Sequence, residues 1–426
     1  MLMLVIFLAL VAMICINVPI AIALAMAGVI GLVVTEGTGS LVTIALDMYN
    51  GSTKFSLIAI PMFVLAGAIM NAGGITDRLI NFVSALIGFV RGGLAMVNIG
   101  VSLFFAEISG SAVADVAAMG SILIPQMKKR GYSAPLAAAV TSSSASLAII
   151  IPPSIPMILY ASSANTSVEQ LFVAGVIPGL LGAAGLMGVA YIFARRYNLP
   201  TEEAFNVPRL RETFIDAMPA FTLPVIILGG IFGGFVTATE AAGLAVIAAL
   251  LVSGWYRNLD LGHLRRAMLD GGMQTAVVML LVAASVLMGG FLTRAQIPQQ
   301  LAQGLLAVTT EQWLILLILN VFFLVIGFFL HSAAAIILVV PIVIPLIQQA
   351  GIDPVHFGLV VTLNLAIGQQ TPPVASVLIT SCAVARANIW DVSKVNVWFV
   401  MVLLAVLFLC TYVPSIPLFL VEYFYR

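Results

Sequence analysis

The chain has 426 residues, 62% of them hydrophobic and 8% charged, and its 17 basic and 17 acidic side chains leave no net charge. So little polar surface cannot cover a soluble globule of this length, and a mean hydropathy of +1.18 points to an integral membrane protein. Apolar runs of about 20 residues recur, and no alternating ten-residue pattern suggests a barrel, so the spans are predicted to be helical.

The first segment, opening on MLMLVIFLAL, has no basic n-region, and the first Lys or Arg is Lys54; it is predicted to stay as a span over 2–16 rather than be cleaved. Further crossings are expected at 17–34, 55–73, 136–163 and 171–194, with an apolar hairpin at about 93–127 that is too long for one span. Cys15, Cys382 and Cys410 lie scattered in apolar segments, without the spacing of a metal site or a disulfide framework.

Beyond residue 200 the pattern returns. A shift of 220 residues sets "IPQMKKRGYS" (124–133) against "IPLIQQAGID" (344–353) and "IPPS" (151–154) against "TPPV" (371–374), without a gap between them. The same shift sets Ser111 against His331 and "NVPIAIALAMAG" (17–28) roughly against "TATEAAGLAVIA" (237–248). The chain therefore divides into a first repeat over 1–200, a linker over 201–216 expected to be cytoplasmic, and a second repeat over 217–426. The second repeat carries a hairpin at about 313–347 and a broken helix at about 356–388. Five crossings per repeat are an odd number, so the second repeat enters the membrane upside down. Charge agrees with this: the positive-inside rule puts every Lys and Arg in the cytoplasm except Lys54, Arg294 and Arg426. Basic residues bracket the first hairpin and none brackets the second, so the two dip in from opposite sides. The resulting fold class is an all-α polytopic membrane protein of two inverted repeats, each with a re-entrant helical hairpin and a broken helix.

Each repeat thus offers a polar hairpin tip, "EISGSAVAD" (107–115) or "GFFLHSAA" (327–334), and a proline-broken helix, "TSSSASLAIIIPPS" (141–154) or "NLAIGQQTPPVAS" (364–376). An unpaired carbonyl in lipid costs several kcal/mol, so such a break survives only where protein, water or an ion satisfies it. Carbonyls at the negative end of a helix, completed by Ser or Thr hydroxyls, suit a small hard cation. The intramembrane ionisable residues Glu107, Asp115, Glu240 and His331 are functional candidates, with Glu240 read as interfacial. Ser111 opposite His331 also raises a serine–histidine hydrolase, but nothing orients the histidine and no protease motif accompanies it.

Four stretches, "ISGSAVADVAAMGSILIPQM" (108–127), "IPPSIPMILYASS" (151–163), "PIVIPLIQQAGIDPVHFG" (341–358) and "NLAIGQQTPPVA" (364–375), resemble the large membrane subunit of TRAP transporters, the tripartite ATP-independent periplasmic importers. The resemblance runs over essentially the whole chain. It implies an elevator-type, sodium-driven importer of small carboxylates in the bacterial inner membrane, with no organic cofactor and no enzyme activity. It also implies two partners, a small four-helix membrane subunit and a periplasmic binding protein, besides membrane lipid; no nucleic acid is expected. Carried over by motif, one sodium site involves Ser109 and Ser111 with carbonyls near Ala148, Ile151 and Pro153, and the other involves Gly327, Gly368, Thr371 and Val374. Ser111, Ser154, Arg294, His331 and Ser332 are the implied substrate contacts. One departure is His331, where the family commonly has an acidic residue, so no substrate follows from the resemblance. The rival reading is a self-sufficient carrier of the same superfamily.

Overall fold

The computed structural model describes residues 2–16, 18–202, 204–257, 261–372 and 375–425, apart from the side chains of 2–4, 7, 11, 14, 15, 107–109, 261 and 263. Over these residues the chain is helical, without a strand. Among the described residues, seven helices are long and apolar enough to cross a bilayer, or eight if one pair bent by 55° forms a single span.

The first half runs through α1 (Leu2–Cys15), α2 (Ile20–Glu36), α3 (Leu41–Ser52), α4 (Ala59–Ala72), α5 (Ile75–Ile87), α6 (Gly93–Ser109), α7 (Ala112–Lys129), α8 (Ala134–Ala145), α9 (Ile155–Ala164) and α10 (Val168–Arg196). α11 (Val207–Ala217) fills most of the expected linker. Then come α12 (Thr222–Pro224), a π turn, α13 (Gly230–Phe232), α14 (Ala238–Trp255), α15 (Leu261–Arg294), α16 (Ile297–Val308), α17 (Gln312–Phe329), α18 (Ser332–Gln349), α19 (Pro354–Gly368), α20 (Ser376–Ala385), α21 (Ile389–Tyr412) and α22 (Ser415–Tyr425).

The offset seen in the sequence recurs in the elements: Ala112 and Ser332 open α7 and α18, and Ala134 and Pro354 open α8 and α19. Packing follows the same correspondence. α2 packs on α15, while its counterpart α14 packs on α4; α7 packs on α20, while α18 packs on α9. One buried core consequently runs through both halves.

Local signals fix where these helices start. Ser111, Ser133, Ser154, Ser167 and Asp353 cap α7, α8, α9, α10 and α19 with side-chain oxygens that accept main-chain N–H groups. Glu240 and Thr237 form a reciprocal capping box at the start of α14, which places Glu240 in the first turn of that helix. Both expected hairpins are present, α6–α7 turning at Gly110 (φ +57°) and α17–α18 turning at Leu330 and His331. The first broken helix is α8–α9, tightened into a 3₁₀ turn at Ser146–Ile149 before its prolines. The second is α19–α20; its Pro373 and the sodium candidate Val374 lie outside the described residues.

The hairpin tips reach the breaks. A Cβ on Gly110 would lie 3.1 Å from the Pro153 carbonyl oxygen, and one on Gly368 would lie 2.5 Å from Gly327 Cα. The first tip thus ends beside the break that falls midway along residues 134–164. On the far side of that break, a Cβ on Gly175 would lie 2.2 Å from the Ile150 carbonyl oxygen, so a glycine here lets α10 close on the irregular backbone.

Candidate functional site

Both tips and both breaks line a single cavity of about 590 Å³. The hairpins contribute Gly110, Ser111 and Ala112 from one side and His331, Ser332 and Ala333 from the other. Ile149, Ile155 and Pro156 come from the first break, and Gln369 and Ser376 from the second. The facing wall belongs to α4 through Val64 and to α15 through Met273, Gln274, Val277 and Val278.

The helix ends around this cavity have a consistent polarity. α7, α9, α18 and α20 each begin on its lining, at Ala112, Ile155, Ser332 and Ser376. Four helix N-termini, each with unpaired N–H groups and a partial positive charge, therefore meet around one volume. That arrangement suits an anion without requiring an arginine. Ser332 is buried, whereas His331 is exposed towards the cavity as the N-cap residue of α18 and makes no side-chain cap bond.

Helix C-termini meet behind the tips. The end of α6 lies at Pro153, and Gly327, in the last turn of α17, abuts Gly368 at the end of α19. The Thr371 hydroxyl donates to the Ile367 carbonyl at 3.1 Å, which leaves its oxygen lone pairs available. Asn364, one turn before Gly368, is fully buried, and its Oδ1 has no partner among the described residues. No group of three or more His, Cys, Asp or Glu side chains forms a metal site among the described residues. Carbonyls and hydroxyls fit a hard cation better than a transition metal.

The sequence family described as "Tripartite ATP-independent periplasmic transporter, DctM component" matches residues 7–416. The chain belongs to this family. The C4-dicarboxylate TRAP transporter large permease protein DctM of Pseudomonas aeruginosa is 38% identical over 377 residues, covering 88% of each chain. The sialic acid TRAP transporter large permease protein SiaM of Vibrio cholerae is 34% identical over 407 residues, covering 95% of each chain. The isethionate TRAP transporter permease protein DctMQ of Oleidesulfovibrio alaskensis is 38% identical over 95% of this chain, which spans only 64% of that protein's length. The YdaH transporter of Alcanivorax borkumensis, a solved structure, superposes over 89% of both chains with a TM-score of 0.61 at 16% identity, which shows the fold alone. These relatives are transporter permeases, and this chain is a multi-pass membrane permease rather than an enzyme.

In this DctM permease the structure gathers Ser111, His331 and Ser332 at the cavity but places two other substrate candidates elsewhere. Ser154 is fully buried; its hydroxyl donates to the Ile149 carbonyl at 2.7 Å and accepts the Met157 N–H. Arg294 ends α15 at the surface, ion-paired with Glu36 and, at 3.5 Å, with Asp47. Of the sodium candidates, Ala148 and Ile151 are buried at the first break beside Pro153, while the side chain of Ser109, like that of Glu107, lies outside the described residues. Asp115 is buried in the first turn of α7.

The permease also contains a polar network that the sequence reading missed. Gln370 Oε1 accepts from Ser142 Oγ at 3.0 Å, and its amide donates to Ser146 Oγ. Asn396 Nδ2 donates to the Gln370 main-chain carbonyl at 3.1 Å, and Ser143 Oγ donates to Asn396 Oδ1 at 2.8 Å. The serine run before the first break therefore anchors the second break through its hydroxyls at 142, 143 and 146. The signal for this pairing was two adjacent amides, Gln369 and Gln370, in an otherwise apolar helix end, where each needs a partner.

Proposed function

We propose that this chain is the large subunit of a sodium-coupled importer carrying a small organic anion, foremost a carboxylate, across the bacterial inner membrane. It works with a small four-helix membrane subunit and a periplasmic binding protein. The observation that carries this reading is the convergence of four helix N-termini on one cavity whose described lining includes no acidic side chain. Relatives named for isethionate, C4-dicarboxylate and sialic acid support the same charge, because such acids are anions at neutral pH.

Sodium is the coupling ion in this reading. Ser109 and Ser111 with the carbonyls of Ala148, Ile151 and Pro153 would hold one ion, and Gly327, Gly368, Thr371 and Val374 another. A cation there offsets the negative helix C-termini behind the tips, which keeps the tip backbones ordered so that the N-termini face the anion. Substrate and ion then cross together as the hairpins and broken helices move past α4 and α15.

The test is uptake into vesicles containing the complete complex. An inward sodium gradient is expected to drive accumulation. Thr371→Val, which removes a hydroxyl at nearly constant volume, should raise the sodium concentration for half-maximal uptake about tenfold, equivalent to about 1.4 kcal/mol. Full accumulation from a pH gradient alone in sodium-free buffer would overturn sodium coupling. Robust uptake by this chain alone would instead identify a self-sufficient carrier.

A further inference from the structure

We infer that the groove between α5 and α11 is a binding site for an anionic phospholipid of the inner leaflet. α11 follows the basic end of α10 at Arg195 and Arg196, and it is set 55° away from the direction of α12–α13. A short helix so inclined, with exposed apolar side chains beside basic ones, fits a position along the membrane surface. Its composition fits that position: Val207, Phe214 and Ile215 are exposed at 62%, 45% and 56%, and Ala217 is its one buried residue among those described.

α11 packs on α5, and between them runs a groove of about 360 Å³ lined by Phe82, Leu86, Val207, Leu210, Phe214 and Arg211. Five apolar side chains form the walls together with Arg211, which is exposed. Arg211 has no ion pair among the described residues. On the same helix, Asp216 is paired with Arg78 at 3.2 Å, and Glu212 is not part of the lining. An exposed cation without an ion pair, on a residue that also lines an apolar slot, matches a ligand with an acyl chain and an anionic head group, which the lipid leaflet supplies. The choice of leaflet rests on the sidedness given by the basic residues.

The site has a route to the transport machinery. α5, which forms one wall, also packs on α6, the first arm of the hairpin that ends at Ser111, with Val83 and Ile87 against Gly100. A lipid filling the groove therefore bears on the helix that supports this tip.

The experiment uses the complete complex in nanodiscs containing a trace of phosphatidylglycerol or phosphatidylcholine, each with the same photoreactive acyl chain. Labelled peptides are then mapped by mass spectrometry. Phosphatidylglycerol should label α5 and α11 in preference to phosphatidylcholine. Arg211→Gln should lower that labelling about fivefold, the effect expected of one basic side chain at a membrane surface, and Arg211→Lys should restore most of it. Equal labelling by the two lipids, no change in Arg211→Gln, or complete displacement by soluble glycerol phosphate would each overturn the proposal. Labelling of distant spans in the same sample provides the control for folding.

Discussion

A Cβ on Gly368 would sit 2.5 Å from Gly327 Cα and 2.9 Å from the Gly327 carbonyl oxygen, so backbone meets backbone with no side chain free to yield. Gly368→Ala should therefore separate α17 from the end of α19, at a cost of about 1–3 kcal/mol for overpacking. The purified protein should unfold at lower temperature and lose more of its sodium dependence than Gly188→Ala, a site with open space around its Cβ. Equal behaviour of the two variants would rule out a tight contact at the second break. Gln370 makes a different demand, because it satisfies Ser142 and Ser146 while Asn396 holds its main chain. Gln370→Leu takes the acceptor from the buried Ser142 hydroxyl, at a cost of about 1–3 kcal/mol, while the Ser146 hydroxyl keeps its bond to the Ser142 carbonyl. In a double-mutant cycle on thermal stability, Gln370→Leu and Asn396→Leu should be strongly non-additive. Additive losses would show that the two side chains act separately. Residue chemistry was only partly legible in the sequence. Ser111 and His331 could be placed by their common offset, whereas the pairing of Gln370 with the serine run depends on a crossing between repeats that no linear spacing encodes. The ion pair of Arg294 was not legible for a related reason: its partner Glu36 lies at the end of a helix 258 residues away.

Hairpins and broken helices were the most legible elements, because proline pairs, glycine turns and polar tips in an apolar chain allow few alternatives. The observed arms, α6–α7 and α17–α18, contain the expected ranges 93–127 and 313–347 within two residues at each end. Less legible were the short helices α3, α5, α11 and α16. None is long enough to give a span signal, and α3 has no buried residue. Length also fails to separate a hairpin arm from a span: α17 and α18, at 18 residues each, both pass as spans by length and composition. Orientation therefore needs its own measurement. Gly131 follows α7 and Ala350 follows α18, both exposed or half-exposed at the bases of the two hairpins. In a background without native cysteines, Gly131→Cys and Ala350→Cys should react with an impermeant thiol reagent from opposite sides of the membrane. Labelling of both from one side would remove the inversion, and with it the assignment of α11 to the inner leaflet.

For the molecule as a whole, the departure from symmetry is as informative as the symmetry. α2 on α15 mirrors α14 on α4, and α7 on α20 mirrors α18 on α9, so the two halves correspond within a scaffold group (α2, α4, α14, α15) and within a hairpin unit of hairpins and broken helices (α6–α9 and α17–α20). Across the boundary they do not: α5 packs on α6, the first arm of its hairpin, whereas α16 packs on α18, the second arm. Two assemblies that are each nearly symmetric but meet asymmetrically are displaced relative to one another, which is the relation expected of one end state of an alternating-access cycle. Lys54 marks that boundary. Its Nζ, on the loop before α4, donates at 2.8 Å to the Ser162 carbonyl in the last turn of α9, where helix polarity favours a cation. Lys128 offers a comparison, because its Nζ donates at 3.0 Å to the Ala385 carbonyl at the end of α20, inside the hairpin unit. If that unit moves as a rigid body, a short thiol crosslinker joining cysteines at Lys54 and Ser162 should stop transport and a cleavable version should restore it. The same reagent joining cysteines at Lys128 and Ala385 should leave most of the rate, since those positions travel together. Transport that survives the first crosslink would mean that this boundary does not move. Transport that stops only with the second would mean that the unit itself flexes, and the two arms of each hairpin, rather than the whole body, would then gate the cavity.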